Sequence, residues 1–186
     1  MRTTASLCNF FFVVPLALAA GGAQQVTTRD LKSVVEKAAA AKEKDWRLEK
    51  SEARESGQAG GVAKLLLRWK PSEGRQVLSP TDKRREHPWP FVTVEIFLDE
   101  TPEKAAANLQ WIVENTQTGP KGVIKDLGDE AYVWTGTSPH GDSSVKLRKG
   151  RIQISVSGPS LDVTTRFAQL VVEEVEDQLK KAGEVP

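Results

Sequence analysis

The sequence predicts an α+β domain, with a mostly antiparallel sheet and helices packed on one face of it. In residues 145–156, apolar side chains at every second position flank Lys149-Gly150, which is the pattern of a hairpin with one apolar face. In residues 163–179, the apolar positions instead recur every three or four residues, as in a helix that buries one side. A hairpin and a helix that follow each other directly, each with one apolar side, are expected to cover each other.

The first half of the chain fits the same fold class. Residues 28–44 have helical spacing, and a strand is expected to begin near Asp45. Residues 62–70 and 91–98 alternate as strands, and the connection between them carries four prolines, which exclude a helix or a central strand there. The strands that end at residues 70 and 98 are expected to bury their alternate apolar side chains: Ala63, Leu65, Leu67, Trp69, Val92, Val94, Ile96 and Leu98.

The second half begins with a helix whose start is well marked. Thr101 is a suitable cap, Pro102 fits the first helical position, and Gly119-Pro120 ends the helix. A short extended piece near residues 123–124, a turn over residues 126–130 and a strand over residues 131–135 lead into the hairpin. The last helix is expected to end at Gly183, after two lysines at its negative end.

The position of the two-residue loop determines which residues of the hairpin lie opposite each other. A two-residue loop at Lys149-Gly150 sets Leu147 opposite Ile152 and Val145 opposite Ile154. The same register places Arg148 directly across from Arg151.

Residues 1–23 have the order of an export signal. Arg2 precedes an apolar run over residues 10–20 that contains Pro15 and is too short for a membrane span, and small residues follow it. We expect cleavage after Ala23, with Ala20 as the alternative. The only cysteine, Cys8, precedes the apolar run, so a lipid anchor on it is not expected and the mature chain has no thiol.

Removal of the signal would leave residues 24–186, the size of one domain with a real core. Because Arg2 is the one charged residue of the signal, the mature chain would carry 25 basic and 25 acidic residues. This balance argues against a nucleic-acid binder and against polybasic docking to a membrane, although it leaves local patches open. The expected location is the periplasm or the cell exterior, with no cofactor and no stable membrane insertion after signal removal.

Three segments carry a resemblance: residues 128–134 (GDEAYVW), residues 145–151 (VKLRKGR) and residues 166–170 (RFAQL). Together they resemble a pattern of small exported bacterial domains, some of which are sensor-like or lipoprotein modules. The resemblance covers roughly residues 120–175. It implies an exported α+β domain and no activity, and the lipid-bearing cysteine of the lipoproteins is missing here.

Two groups of cations are the candidate contact residues for a partner. The first is the basic and aromatic loop over residues 83–91, with Lys83, Arg84, Arg85 and Trp89; Arg and Trp are residue types that dominate contact energies. The alternative for this loop is that Trp89 and Phe91 anchor its end to the core. The second group is Lys146, Arg148 and Arg151 on the polar face of the hairpin, where like charges opposite each other indicate an anionic ligand or a neighbouring carboxylate. A solvated sheet face is the alternative for this group.

Catalytic and metal sites have weaker support. Ser138, His140 and Asp142 lie in one loop, but members of a catalytic triad normally come from separate parts of a fold. The acidic and histidine side chains lack the spacing of a zinc site or a calcium loop; they are His87, Asp126, Asp129, Glu130, His140 and Asp142. Five tryptophans raise the alternative of carbohydrate stacking, with core packing as the simpler explanation.

The sequence therefore favours an exported, non-enzymatic binding module that contacts a protein or an envelope component. The alternative is a binder of a small molecule or sugar in a cleft between sheet and helices, and a hydrolase centred on His140 comes third.

Overall fold

The computed structural model describes residues 25–55, 62–72, 91–138 and 141–184, without the side chains of residues 137, 138, 141 and 142. Within these ranges the chain forms three helices and seven strands. In chain order they are α1 (Thr28–Lys42), β1 (Trp46–Arg54), β2 (Ala63–Pro71), β3 (Val92–Leu98), α2 (Pro102–Asn115), β4 (Gly122–Val123), β5 (Glu130–Ser138), β6 (Gly141–Lys149), β7 (Ile152–Gly158) and α3 (Leu161–Ala182).

The seven strands form one open sheet in the order β1-β2-β3-β7-β6-β5-β4, and every neighbouring pair is antiparallel. The predicted α+β class with an antiparallel sheet is confirmed. The predicted alternation is also confirmed in β2 and β3, whose apolar side chains from Ala63 to Trp69 and from Val92 to Leu98 are buried at every second position.

Helices α1 and α3 cover the apolar face, as the sequence predicts. The amphipathic stripe of α3 lies against β6 and β7, and α1 lies against β1 and β2. Between them, Phe167 of α3 meets Trp46 and Trp69, with ring centroids 5.9 and 5.2 Å apart. Full burial of such side chains contributes roughly 1.5–3 kcal/mol each, so this face is where the fold gains most of its stability.

Helix α2 lies against the other face, over β6 and β7, so the prediction that the helices pack on one face holds for α1 and α3 but not for α2. Its buried side chains, Ala105 and Leu109, are not part of the core cluster that α1 and α3 share with the sheet. Asp99 links helix and sheet there, because it accepts hydrogen bonds from Asn108 of α2 and from Gln153 of β7. Of the helices described, none lies on the remaining polar half, which belongs to β1, β2 and β3.

The predicted register of the β6–β7 hairpin is wrong by two residues. The turn consists of Gly150 and Arg151, so Leu147 lies opposite Ile154 and Arg148 lies opposite Gln153. The physical reason is the positive φ of 55° at Gly150. A two-residue turn of this kind has glycine at its first position, where a lysine would be strained. A shift of two residues preserves the faces, so the apolar face of the hairpin remains intact.

The helix starts and the end of α3 lie close to their predicted positions, whereas α2 ends at Asn115, four residues before the predicted end at Gly119. Thr101 caps α2 by accepting a hydrogen bond from the Lys104 amide at 3.2 Å, and Gly183 ends α3 with a φ of 72°. The helix predicted over residues 28–44 ends at Lys42, and the extended piece near residue 123 forms the two-residue edge strand β4. None of the described helices is long and apolar enough to cross a bilayer.

Candidate functional site

The polar half of the sheet that no described helix covers is the candidate site, and we call it the open face. It consists of the outward side chains of β1, β2 and β3 and of Phe91, which precedes β3. The cations Lys50, Lys64, Arg68 and Lys70 keep between 34 and 39% of their side-chain surface exposed. The members of the open face are Arg47, Glu49, Lys50, Glu52, Arg54, Lys64, Leu66, Arg68, Lys70, Phe91, Thr93, Glu95 and Phe97.

Like charges face each other across β1 and β2. In three cross-strand pairs on the open face, both members are cations: Arg47 with Lys70, Lys50 with Arg68, and Arg54 with Lys64. Directly opposed like charges destabilise a sheet, by an amount comparable to the roughly 0.2–1 kcal/mol that a favourable cross-strand pair contributes. A partly solvated face does not require three such pairs for folding. Their concentration on one face is therefore the strongest functional signal among the described residues.

Three glutamates offset part of this charge. Glu49 lies at an irregularity of β1 and reaches Arg68 Nε at 2.9 Å and Lys70 Nζ at 3.7 Å. Glu52 contacts Lys50 at 2.9 Å, and Glu95 binds Lys64 at 2.6 Å. The members of the open face named above include six cations and three carboxylates, so its basic side chains outnumber its acidic ones. The charged side chains and the irregularity of β1 also suit an edge strand, because they discourage pairing with another chain.

Aromatic rings support two of the cations. The Lys64 ammonium lies 5.0 Å from the ring centroid of Phe97, and the Arg68 guanidinium lies 4.9 Å from that of Phe91. Both distances are within the range of cation–π attraction. The open face therefore repeats one unit, a pair of opposed cations beside a phenylalanine. The two units are four residues apart along β2, which corresponds to about 13 Å.

Lys146 of β6 extends this pattern across the polar face of the sheet. Its ammonium lies 5.7 Å from the ring centroid of Trp134 on β5. Burial lowers the pKa of Lys146 below its usual value, and the charge of Glu95 opposes the shift. Lys146, Arg148 and Arg151 are the hairpin cations predicted as contacts. Of these three, only Lys146 forms no ion pair with another described residue.

Arg148 and Arg151 are held by carboxylates of the domain itself. Arg148 donates to Asp129 and Glu130, both at 2.9 Å. Arg151 lies in the turn, not on the strand, and donates to Glu184 at 2.8 Å and to the Val26 carbonyl at 2.8 Å. The prediction that Arg148 lies across from Arg151 is wrong because of the register shift described above. Their carboxylate partners are Asp129, Glu130 and Glu184, and not the acidic run over residues 173–177 that the sequence offers as an alternative source.

The remaining predicted site residues separate into two groups. Asp129 and Glu130 serve Arg148, and the part of the chain that the structure describes contains no cluster of three side chains suited to a metal ion. The loop residues Lys83, Arg84, Arg85, His87, Trp89 and His140, and the side chains of Ser138 and Asp142, lie outside the description. Residues 83–91 belong to the connection between β2 and β3, which are two of the three strands of the open face.

Sequence reasoning missed most of the open face. In β1 the irregularity at Glu49 interrupts the alternation of outward and inward side chains. The register of β1 against β2 also depends on the geometry of the connection between them, which cannot be derived from its composition. The one available signal is the polar set of β2, because Lys64, Arg68 and Lys70 alternate with buried apolar residues. A shallow depression of about 480 Å³ marks one end of the face, lined by Glu52, Ala53, Arg54, Lys64 and Leu66.

No family model, curated protein or solved structure matches the chain. The resemblance to small exported bacterial domains therefore stays an expectation.

Proposed function

We propose that the chain is an exported, non-enzymatic binding module whose open face contacts an anionic protein or envelope component. The observation that carries the proposal is the set of three opposed cation pairs on β1 and β2. An anionic partner would convert their mutual repulsion into attraction to the partner. The export signal over residues 1–23 belongs to the same proposal.

Two further observations support this site. The whole chain has a net charge of only +1, so the cations of the open face are a local concentration and not the consequence of a basic composition. The loop over residues 83–91, with Lys83, Arg84, Arg85 and Trp89, belongs to the connection between β2 and β3 and is proposed to take part in the contact. Arg148 and Arg151 keep only 14% and 11% of their side-chain surface exposed, against 34 to 39% for the ion-paired cations of the open face, so we assign them a structural role instead.

The first experiment measures binding to a carboxylated dextran surface against an underivatised dextran reference. The test variant combines Lys50→Gln, Arg54→Gln and Lys70→Gln, which removes one member of each opposed pair. The matched control combines Lys37→Gln, Lys121→Gln and Lys125→Gln, which removes three exposed cations outside the open face. Both variants have the same net charge, so a difference between them reports the location of the contact.

We expect the test variant to bind at least tenfold more weakly than the control at about 0.01 M salt, where charges interact over about 30 Å. Binding of the unmodified protein should weaken strongly at about 0.15 M salt, where the screening length is about 8 Å. Equal loss of binding in both variants would show that net charge, and not the open face, is responsible.

A further inference from the structure

We propose that the anionic partner of the open face is a linear acidic polysaccharide, whose sugar units carry both carboxylates and hydroxyl groups. This inference rests on the proposed function, because it names the partner class of that same face. Three features of the open face support it: the repeat of the cation units, the glutamates between them and the shortage of apolar surface.

The spacing of the two cation units favours an extended, repeating ligand. Arg54, Lys64 and Phe97 form one unit, and the second unit lies about 13 Å further along β2. The two units have the same composition: opposed cations and one aromatic ring. A ligand that places similar anionic groups at regular intervals along β2 would satisfy both units, whereas a single small anion would satisfy only one.

The glutamates favour a ligand that also carries hydrogen-bond donors. Glu49, Glu52 and Glu95 lie among the cations, and Glu52 keeps 60% of its side chain exposed. An ionised carboxylate accepts hydrogen bonds and cannot donate them. Polyphosphate offers only acceptors and would be repelled by these three groups. The hydroxyls of a sugar would donate to the glutamates while its carboxylates bind the cations.

Two other polymers fit the face less well. Protein interfaces have apolar cores that are depleted of Lys and Glu, whereas the open face carries both and has Leu66 as its one aliphatic member. Single-stranded nucleic acids stack their bases on aromatic rings. The rings of Phe91 and Phe97 each hold a cation about 5 Å from the centroid, so a base would have to displace it.

The test is a calorimetric titration of the purified protein with four polymers: polygalacturonate, neutral dextran, polyphosphate and poly-glutamate. At equal concentration of charge, we expect polygalacturonate to bind at least tenfold more tightly than polyphosphate or poly-glutamate, and dextran not to bind. The triple variant at Lys50, Arg54 and Lys70 should lose this binding, and the control at Lys37, Lys121 and Lys125 should keep it.

A substitution of Glu52 distinguishes a ligand with sugar hydroxyls from a polyanion that carries acceptors only. Glu52→Ala removes an acceptor and a negative charge, so it should weaken polygalacturonate binding at least twofold and strengthen polyphosphate binding. A gain for both polymers would overturn the role of hydroxyl donors and with it the inference.

The outcomes also distinguish the inference from the proposed function. Poly-glutamate or polyphosphate could bind more tightly than polygalacturonate, with that binding lost in the triple variant. The inference of a polysaccharide partner would then be wrong, while the proposed contact of the open face with an anionic partner would be supported. If no polymer binds, or if the triple variant binds as well as the unmodified protein, both are wrong.

Discussion

Lys146 and Lys149 lie on the same strand, yet their surroundings shift their pKa values in opposite directions. Burial lowers the pKa of Lys146. A hydrogen bond to Glu176, with further support from Asp129, raises the pKa of Lys149, whose ammonium lies 2.8 Å from the Glu176 carboxylate. We therefore predict that Lys146 releases its proton at a lower pH than Lys149. An alkaline titration followed by NMR of the lysine side chains measures both, and the reverse order would contradict these environments.

The two shifts also have opposite effects on stability. Burial disfavours the charged form of Lys146 in the folded state, so its unfavourable contribution is present at neutral pH and decreases as the pH rises from its lowered folded pKa towards its unfolded pKa. Lys149 contributes stability that is present below its unfolded pKa and is lost as the pH rises through its raised pKa. We predict that Lys149→Met lowers the free energy of unfolding near pH 8 and has a smaller effect near pH 12, as measured by urea unfolding. A constant effect across this range would contradict the ion pair.

Arg151 connects three parts of the chain that are far apart in sequence. Its guanidinium binds Glu184 after α3, the Val26 carbonyl before α1 and the Asp99 carbonyl after β3. The side chains of Arg151 and Glu184 are only 11% and 14% exposed. Because hydrogen bonds to charged groups contribute about 1.5–3 kcal/mol, Arg151→Met should lower the free energy of unfolding by about 2 kcal/mol.

For a domain of this size, such a loss corresponds to a fall of roughly 4–8 °C in the unfolding midpoint. Arg54→Met is the matched control, because Arg54 is exposed on the open face and should change stability by less than about 0.5 kcal/mol. Equal effects of the two substitutions would show that the hydrogen bonds of Arg151 do not stabilise the fold.

At the scale of elements, the pairing of β1 with β2 is less stable than its hydrogen bonds would allow, because cations oppose each other across it. Arg54→Glu would turn the pair with Lys64 into one of opposite charges. We predict a gain of about 0.5 kcal/mol in the free energy of unfolding, measured by urea unfolding. The same charge change at exposed Lys37 of α1 is the control and should give no comparable gain. A loss of stability in Arg54→Glu would remove the evidence that these charges oppose folding.

The same elements show what sequence reasoning reached and where it stopped. The buried faces of β2 and β3 and the stripe of α3 follow from periodicity, because burial of one side imposes a period of two or of about 3.6 residues. The predicted register of the hairpin is wrong because the register depends on which position of the turn requires a positive φ. Gly150 occupies the first position of the turn. The position of α2 over β6 and β7 depends on the strand order, which periodicity does not specify.

For the molecule as a whole, the distribution of charge matters more than its sum. The chain is almost neutral, but the open face has six cations and three carboxylates. Composition argues against a nucleic-acid binder and against polybasic membrane docking, which stays a prediction, and it leaves local patches open. It could not locate the patch, because Arg54 and Lys64 become neighbours only when β1 and β2 pair. Lys146, which the sequence did indicate, lies on the same side of the sheet.

The most direct measurement for the proposed site is an NMR titration of the isotopically labelled protein with a short oligogalacturonate and, in parallel, with a short poly-glutamate. The account predicts that at least one of them shifts backbone amide signals of β1, β2 and β3, centred on Lys64 and Arg68, and leaves those of α1 and α3 unchanged. Shifts confined to the helical side, or none with either oligomer at about 0.01 M salt, would contradict the assignment of the open face as the binding surface.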